Sequence, residues 1–191
     1  MAYLIAIDGL DGCGKDTHAL RMQAALEQAG KTVVLMKHPS DGFFGKRSKG
    51  AVQRSGPIAM AITTAFYTLD VLASVSRLKR VDVDTVMFVR YLLGTAYLPS
   101  RLAPHAYAFF RRLLPFPDLA LFIDIEPSVA IRRIEIRDHA REMFETEERL
   151  MHIREVARTL IAGEWVIVDN SEDGERPFDE VLGILSEYGL L

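Results

Sequence analysis

"YLIAIDGLDGCGKDT" fills residues 3–17. Its first six residues, 3–8, are an apolar run that ends in Asp8, as a buried strand reads. The nine that follow, "GLDGCGKDT" (9–17), put Gly9, Gly14 and Lys15 at the spacing G-x-x-x-x-G-K-[ST]. Gly9, Gly12 and Gly14 let the backbone curl so that several N–H groups point inward. A helix starting near Lys15 adds its positive end, and Lys15 brings a mobile positive charge to the outer phosphates of a nucleotide. A glycine-rich turn with a surface lysine is the duller reading. The strand before the motif and the helical pattern after it favour a phosphate cradle, made by Gly9, Leu10, Asp11, Gly12, Cys13, Gly14, Lys15, Asp16 and Thr17.

Asp16 breaks the pattern, because the motif has a hydroxyl there that touches Mg²⁺. A carboxylate is also a hard oxygen ligand, so Asp16 is the candidate metal ligand of the chain. Without metal it repels phosphate. The alternative is an acidic residue favoured by the dipole of a first helical turn. Thr17 carries a hydroxyl, but one residue further on it is turned about 100° around the helix. Cys13 sits beside a helix start that would lower its pKa. It reads as a small filler whose oxidation would block the loop.

Outward from the loop, the 191-residue chain fits one domain, 1–191, and its 49% apolar content supports a core. Further apolar runs, 32–37, 84–89, 119–125 and 164–169, alternate with helical patterns near 15–29, 57–80, 91–113, 127–138, 146–162 and 177–188. The runs are continuously apolar, as parallel strands covered on both faces are. The expected fold is α/β, a three-layer α/β/α sandwich of the P-loop NTPase type around a five-stranded parallel sheet. Ligands then sit at the carboxyl ends of the strands. Twenty-three Lys and Arg nearly balance 26 Asp and Glu, so no nucleic-acid surface is expected. No apolar run approaches the ~20 residues of a membrane span. "MAYLIAID" lacks the features of a signal peptide, and one cysteine excludes an internal disulfide. The expectation is a soluble, cytoplasmic protein.

The chain resembles the thymidylate kinase family. The family loop runs roughly G-x-D-G-x-G-K-[ST]-T, and "GLDGCGKDT" departs from it only at Asp16. The resemblance continues through "AFYTLD" (65–70), "VRYLLGTAYL" (89–98), "PDLALFIDIEPSVAIRRI" (117–134) and "REMFE" (141–145). It implies transfer of the γ-phosphate of ATP, with Mg²⁺, to a nucleoside monophosphate, dTMP above others. It also implies an arginine-bearing lid at about 136–146 and a homodimer built from long helices. Residue by residue, Lys15 matches the loop lysine and Asp11 the acidic residue near the acceptor sugar. Phe66 matches the aromatic that stacks on the acceptor base. Arg90 and Tyr91 match the last two letters of Asp-Arg-Tyr, and Tyr97 the tyrosine of Ala-Tyr-Gln. Arg133, Arg137 and Arg141 match the lid, where phosphoryl transfer needs mobile positive charge.

Each match has a plainer reading. Phe66, Tyr67, Tyr91 and Tyr97 suit packing, and Arg90 a structural ion pair. The three arginines, four apart, alternate with Glu135, Asp138 and Glu142 as on a solvated helix face. The departures matter more. The aspartate of Asp-Arg-Tyr is Val89, so one metal-organising carboxylate is missing. The arginine that follows the stacking aromatic is replaced by Asp70 or Leu69, and Leu98 stands for the glutamine after Tyr97. Losing polar groups that read the base weakens discrimination. A carboxylate gained at 16 could replace the one lost at 89. Lys46, Arg47 and Lys49 read as a loop near the acceptor phosphate. His38 stands at a strand end, and Asp124 is a reserve candidate for magnesium.

Overall fold

A computed structural model describes residues 2–52, 57–78, 80–136, 146–161 and 163–191. Five strands form one parallel sheet: β1 (Tyr3–Gly9), β2 (Val33–Lys37), β3 (Thr85–Val89), β4 (Leu119–Asp124) and β5 (Val166–Asp169). Their spatial order is β2-β3-β1-β4-β5. The β1 strand is central, with Ile7 in register with Val89 on one side and Leu121 on the other. Buried residues run along β1, and all of β3 and β4 are buried, which explains their unbroken apolar sequence. The edge strands β2 and β5 are only partly covered.

The helices are α1 (Lys15–Gln28), α2 (Phe43–Val52), α3 (Pro57–Leu78), α4 (Ala103–Leu113), α5 (Pro127–Ile136), α6 (Glu147–Leu160) and α7 (Arg176–Glu187). Ile5, Ile7, Phe88, Leu121 and Phe122 are enclosed in the core. Among the described residues no helix is long and apolar enough to cross a membrane.

Two expectations are corrected. Lys46, Arg47 and Lys49, read as part of a loop, lie on the helix α2. Its glycines hide the helical pattern, and one of them answers to a close approach: a Cβ on Gly45 would lie 2.1 Å from the Ser40 carbonyl oxygen. Packing on α3 stabilises it, through Phe44 stacked near Phe66 and the Ser48 hydroxyl donating to the Thr63 carbonyl. The single helix expected over 91–113 is instead a 3-10 turn, Leu93–Tyr97, followed by α4. Asp8 draws in the N–H groups of Tyr91, Leu92 and Leu93 at 3.0–3.2 Å, and Pro99 lacks the N–H to continue a helix.

Candidate active site

The glycine loop leaves the carboxyl end of β1 where the chain reverses from the β3 side to the β4 side. Such switch points are where ligands bind in parallel sheets. A Cβ on Gly9 would come within 2.4 Å of the Ile123 carbonyl oxygen, and one on Gly12 within 2.7 Å of that of Ala130. Gly12 and Gly14 also have left-handed backbones (φ 80 and 86). The first N–H bonded within α1 is that of His18, to Gly14 at 3.0 Å. The preceding N–H groups belong to an open helix start, the geometry that binds anions.

Lys15 is buried, and its ammonium donates to the Leu10 carbonyl (2.8 Å) and lies 3.7 Å from Asp11. Asp11 also accepts from the Arg90 guanidinium and, at 3.0 Å, from the Tyr97 hydroxyl. Burial raises the Asp11 carboxyl, but the charges of Arg90 and Lys15 and these hydrogen bonds outweigh it, so its pKa lies well below the usual range. Arg90 has a positive φ of 60, a costly conformation for a residue with a Cβ. Its carbonyl is held by the Tyr67 hydroxyl (2.8 Å) and by Nδ1 of His38 (3.2 Å). Burial lowers the His38 pKa and favours the neutral ring. A carbonyl only accepts, so Nδ1 carries the proton and Nε2 accepts from Ser74 at 2.9 Å.

A cavity of about 420 Å³ opens beside the loop. Asp11, Asp16, Lys37, Arg90 and Tyr97 line it together with Tyr67, Val71, Leu98, Phe110 and Leu114. On the other side of the loop, a second hollow is lined by Gly14, Thr17, His18, Arg133 and Phe178. Asp16 and Thr17 thus face different cavities, as their 100° separation requires. The Asp16 carboxylate pairs with Lys37 at 3.2 Å.

The sequence-derived residues distribute unevenly. Lys15, Asp11, Arg90 and Tyr97 meet in one cluster. Tyr91 touches the first cavity but is largely packing: its ring stacks on Phe88 at 4.6 Å and its hydroxyl donates to the Pro115 carbonyl. Phe66 and Asp70 do not line the cavity. Phe66 faces α2, with the Arg47 guanidinium 5.8 Å from its ring centroid, and Asp70 binds the N–H and hydroxyl of Ser40. Their neighbours Tyr67 and Val71 do line it, each one residue further along α3. A one-residue step turns a helix by about 100° and decides which side chain faces the ligand.

Cys13 is fully buried, and burial pushes its thiol pKa up rather than down. The nearby lysine and helix start do not offset the loss of water. Arg133 donates to the Asn170 carbonyl and to Asp173, both at 2.9 Å, beside the second hollow. Arg137, Arg141 and most of the expected lid lie outside the described residues. Asp124 is engaged by Arg154 through two bonds (2.8 and 2.9 Å) and by Arg158.

Four further residues stand at the site: Asp8, which the sequence marks only as a strand end, Tyr67, which reads as packing, and Lys37 and His18, which no motif marks. Asp8 and Lys37 had a usable signal, since each ends a strand at the ligand edge. His18 is buried with Nδ1 unpartnered among the described residues, and nothing in its spacing marked it.

A family model described as thymidylate kinase matches residues 7–181. A probable thymidylate kinase of Archaeoglobus fulgidus is 27% identical over 191 aligned positions, covering 97% of this chain and 95% of the relative. The thymidylate kinase of Xanthomonas oryzae pv. oryzae is 33% identical, over 90% of this chain and 78% of the relative. The structure of the thymidylate kinase from Candida albicans superposes with a TM-score of 0.78 at 17% identity, covering 99% of this chain and 93% of that one, and so shares the fold. With the glycine loop, the parallel sheet and a match that spans most of its length, the chain belongs to the thymidylate kinase family.

Proposed function

We propose that the protein transfers the γ-phosphate of ATP to a nucleoside monophosphate in one domain, dTMP being the acceptor that its relatives' names indicate. The observation that carries this reading is the buried Lys15 in a glycine loop that opens on a 420 Å³ cavity. Donor phosphates would lie on the loop N–H groups and Lys15. The acceptor would enter the cavity, its ring beside Tyr67 and its sugar near Asp11 and Tyr97. Arg90, and Arg133 with Arg137 and Arg141 of the lid, would stabilise charge on the transferring group. Catalysis by such a site is positioning and charge stabilisation, with no covalent intermediate.

Asp16 fits magnesium. It is a half-exposed carboxylate facing the cleft, and Mg²⁺ typically takes one or two carboxylates and completes its shell with phosphate oxygens and water. Asp8 and Asp11 are buried and held by several protein donors, whereas the Asp16 carboxylate is half exposed with Lys37 as its ion-pair partner, and Val89 offers no ligand. When bound, the ion neutralises charge on the phosphate oxygens. We place the reaction in the cytoplasm, where ATP and nucleotides are at hand, and in a homodimer.

A coupled assay of ADP formation over dTMP, dUMP, dCMP and purine monophosphates tests the reading. Turnover with at least one is expected, and none with any acceptor despite nucleotide binding favours a protein that only binds. The cavity lining is more apolar than polar, with Val71, Leu98, Phe110 and Leu114 in it, and it offers the hydroxyls of Thr64 and Thr68 rather than the arginine and glutamine of the family pattern. The preference for dTMP should therefore stay below the ~10⁴-fold that a site built on hydrogen bonds to the base reaches. A larger preference would show that other groups read thymine.

A further inference from the structure

Lys37 ends β2 in register with Val89 of β3, so the two side chains share one sheet face at the ligand edge. An aspartate at 89 would give Lys37 a counter-charge on its own sheet, and valine does not. The carboxylate comes instead from α1: Asp16 lies 3.2 Å from the ammonium. Both side chains line the large cavity, and they are only partly covered, Lys37 39% and Asp16 55% exposed. The pair thus joins the donor side of the cleft, α1, to its other side, β2.

We propose that Asp16 and Lys37 are an exchangeable pair. The ammonium neutralises the carboxylate while no metal is present, and moves to the acceptor's phosphate when a metal-bound nucleotide takes the carboxylate. The proposal rests on the phosphoryl-transfer reading above. Exchange is easy here for two reasons. A partly exposed ion pair is weak and is readily replaced. Lysine carries a compact charge on a flexible four-carbon stem, so its head can travel several ångströms. The cations nearer the loop are less free to do this. Lys15 is buried against the Leu10 carbonyl, and Arg90 is bound to the buried Asp11. The arrangement also accounts for an acidic residue being tolerated beside phosphates: its repulsion is masked before the metal arrives and cancelled after.

Isothermal titration of ADP, with EDTA and with Mg²⁺, into the wild type, Lys37→Gln, Lys37→Arg, Asp16→Ala and the double variant Asp16→Ala/Lys37→Gln tests this. Thermal melts check that each is folded. Lys37→Gln unmasks Asp16, so metal-free ADP should bind about tenfold more weakly. With Mg²⁺ the change in ADP affinity should stay within about twofold, because the ion holds the carboxylate. Binding of dTMP to the Mg²⁺–ADP complex should weaken by about fivefold or more, as the acceptor phosphate loses a cation. Lys37→Arg should retain the masking. Asp16→Ala should tighten metal-free ADP but weaken Mg²⁺–ADP, and removing Lys37 as well should return metal-free ADP toward the wild-type value. If Lys37→Gln shifts metal-free and Mg²⁺-bound ADP by the same factor, or leaves dTMP binding unchanged, the exchange is wrong while the kinase reading stands. If the wild type binds neither form of ADP, both are wrong.

Discussion

Asp11 has three partners in the site, and its charge state links folding to function. It pairs with Arg90 and Lys15 and accepts from Tyr97. Its folded pKa is depressed. The stability it contributes is therefore fully present above the unfolded carboxylate value of ~3.9 and is lost as the pH falls toward the lower folded value. Asp11→Asn should destabilise the protein by about 3 kcal/mol at pH 7, since it leaves the arginine without its counter-charge. The deficit should shrink in urea titrations at pH 3, and a constant deficit would mean that the carboxyl is not shifted. Asp8 has the opposite sign: burial outweighs its three backbone donors and raises its pKa, so its contribution is present at low pH and is lost as the pH rises. Lys15→Ala should weaken ADP binding by at least ~30-fold, the lower end for removing one partner of a buried charge contact. Unchanged affinity by titration calorimetry would remove the phosphate loop from the account.

Among the elements, the junction of α3 with the 3-10 turn shapes the cavity. The Tyr67 hydroxyl reaches past Gly94 to the Arg90 carbonyl, and a Cβ on Gly94 would lie 2.7–2.9 Å from the Tyr67 ring and hydroxyl. Gly94→Ala should cost about 1–3 kcal/mol by overpacking, and Tyr67→Phe about 1 kcal/mol for the lost hydrogen bond. Both are read from chemical denaturation midpoints. Because Arg90 holds a left-handed backbone with this carbonyl as its anchor, Tyr67→Phe should also weaken acceptor binding more than ADP binding. Equal effects on the two ligands would make Tyr67 a packing residue only.

Over the whole molecule, the sheet order brings β1 and β3 together, and with them the loop, Asp8 and Arg90. The outer surface carries a different signal. Ile62 and Leu69, both 42% exposed, are seven residues apart on α3 and so share one face. This stripe supports the homodimer proposed above. Leu69→Glu should shift the protein from dimer to monomer in analytical ultracentrifugation. A wild type that sediments as a monomer, or a dimer indifferent to the change, would place the contact elsewhere or remove it.

The loop, the five strands and the parallel α/β architecture were legible in residues 3–17 and in the unbroken apolar runs. These features depend on local spacing and on burial of both sheet faces, and the chain states both directly. Asp11, Lys15, Arg90 and Tyr97 were marked singly by resemblance to a family, and the fold brings them into contact. Helix α2 was not legible, because its glycines weaken the pattern and contacts with α3 and Ser40 offset them. Tertiary structure also decided that Tyr67 rather than Phe66 faces the cleft, since a helix's rotation is set by what packs behind it. It decided that burial raises the Cys13 thiol against the pull of the loop's charges, and that Asp16 meets Lys37. Those two are 21 positions apart in sequence and come within 3.2 Å only because a helix start and a strand end converge on one edge of the sheet.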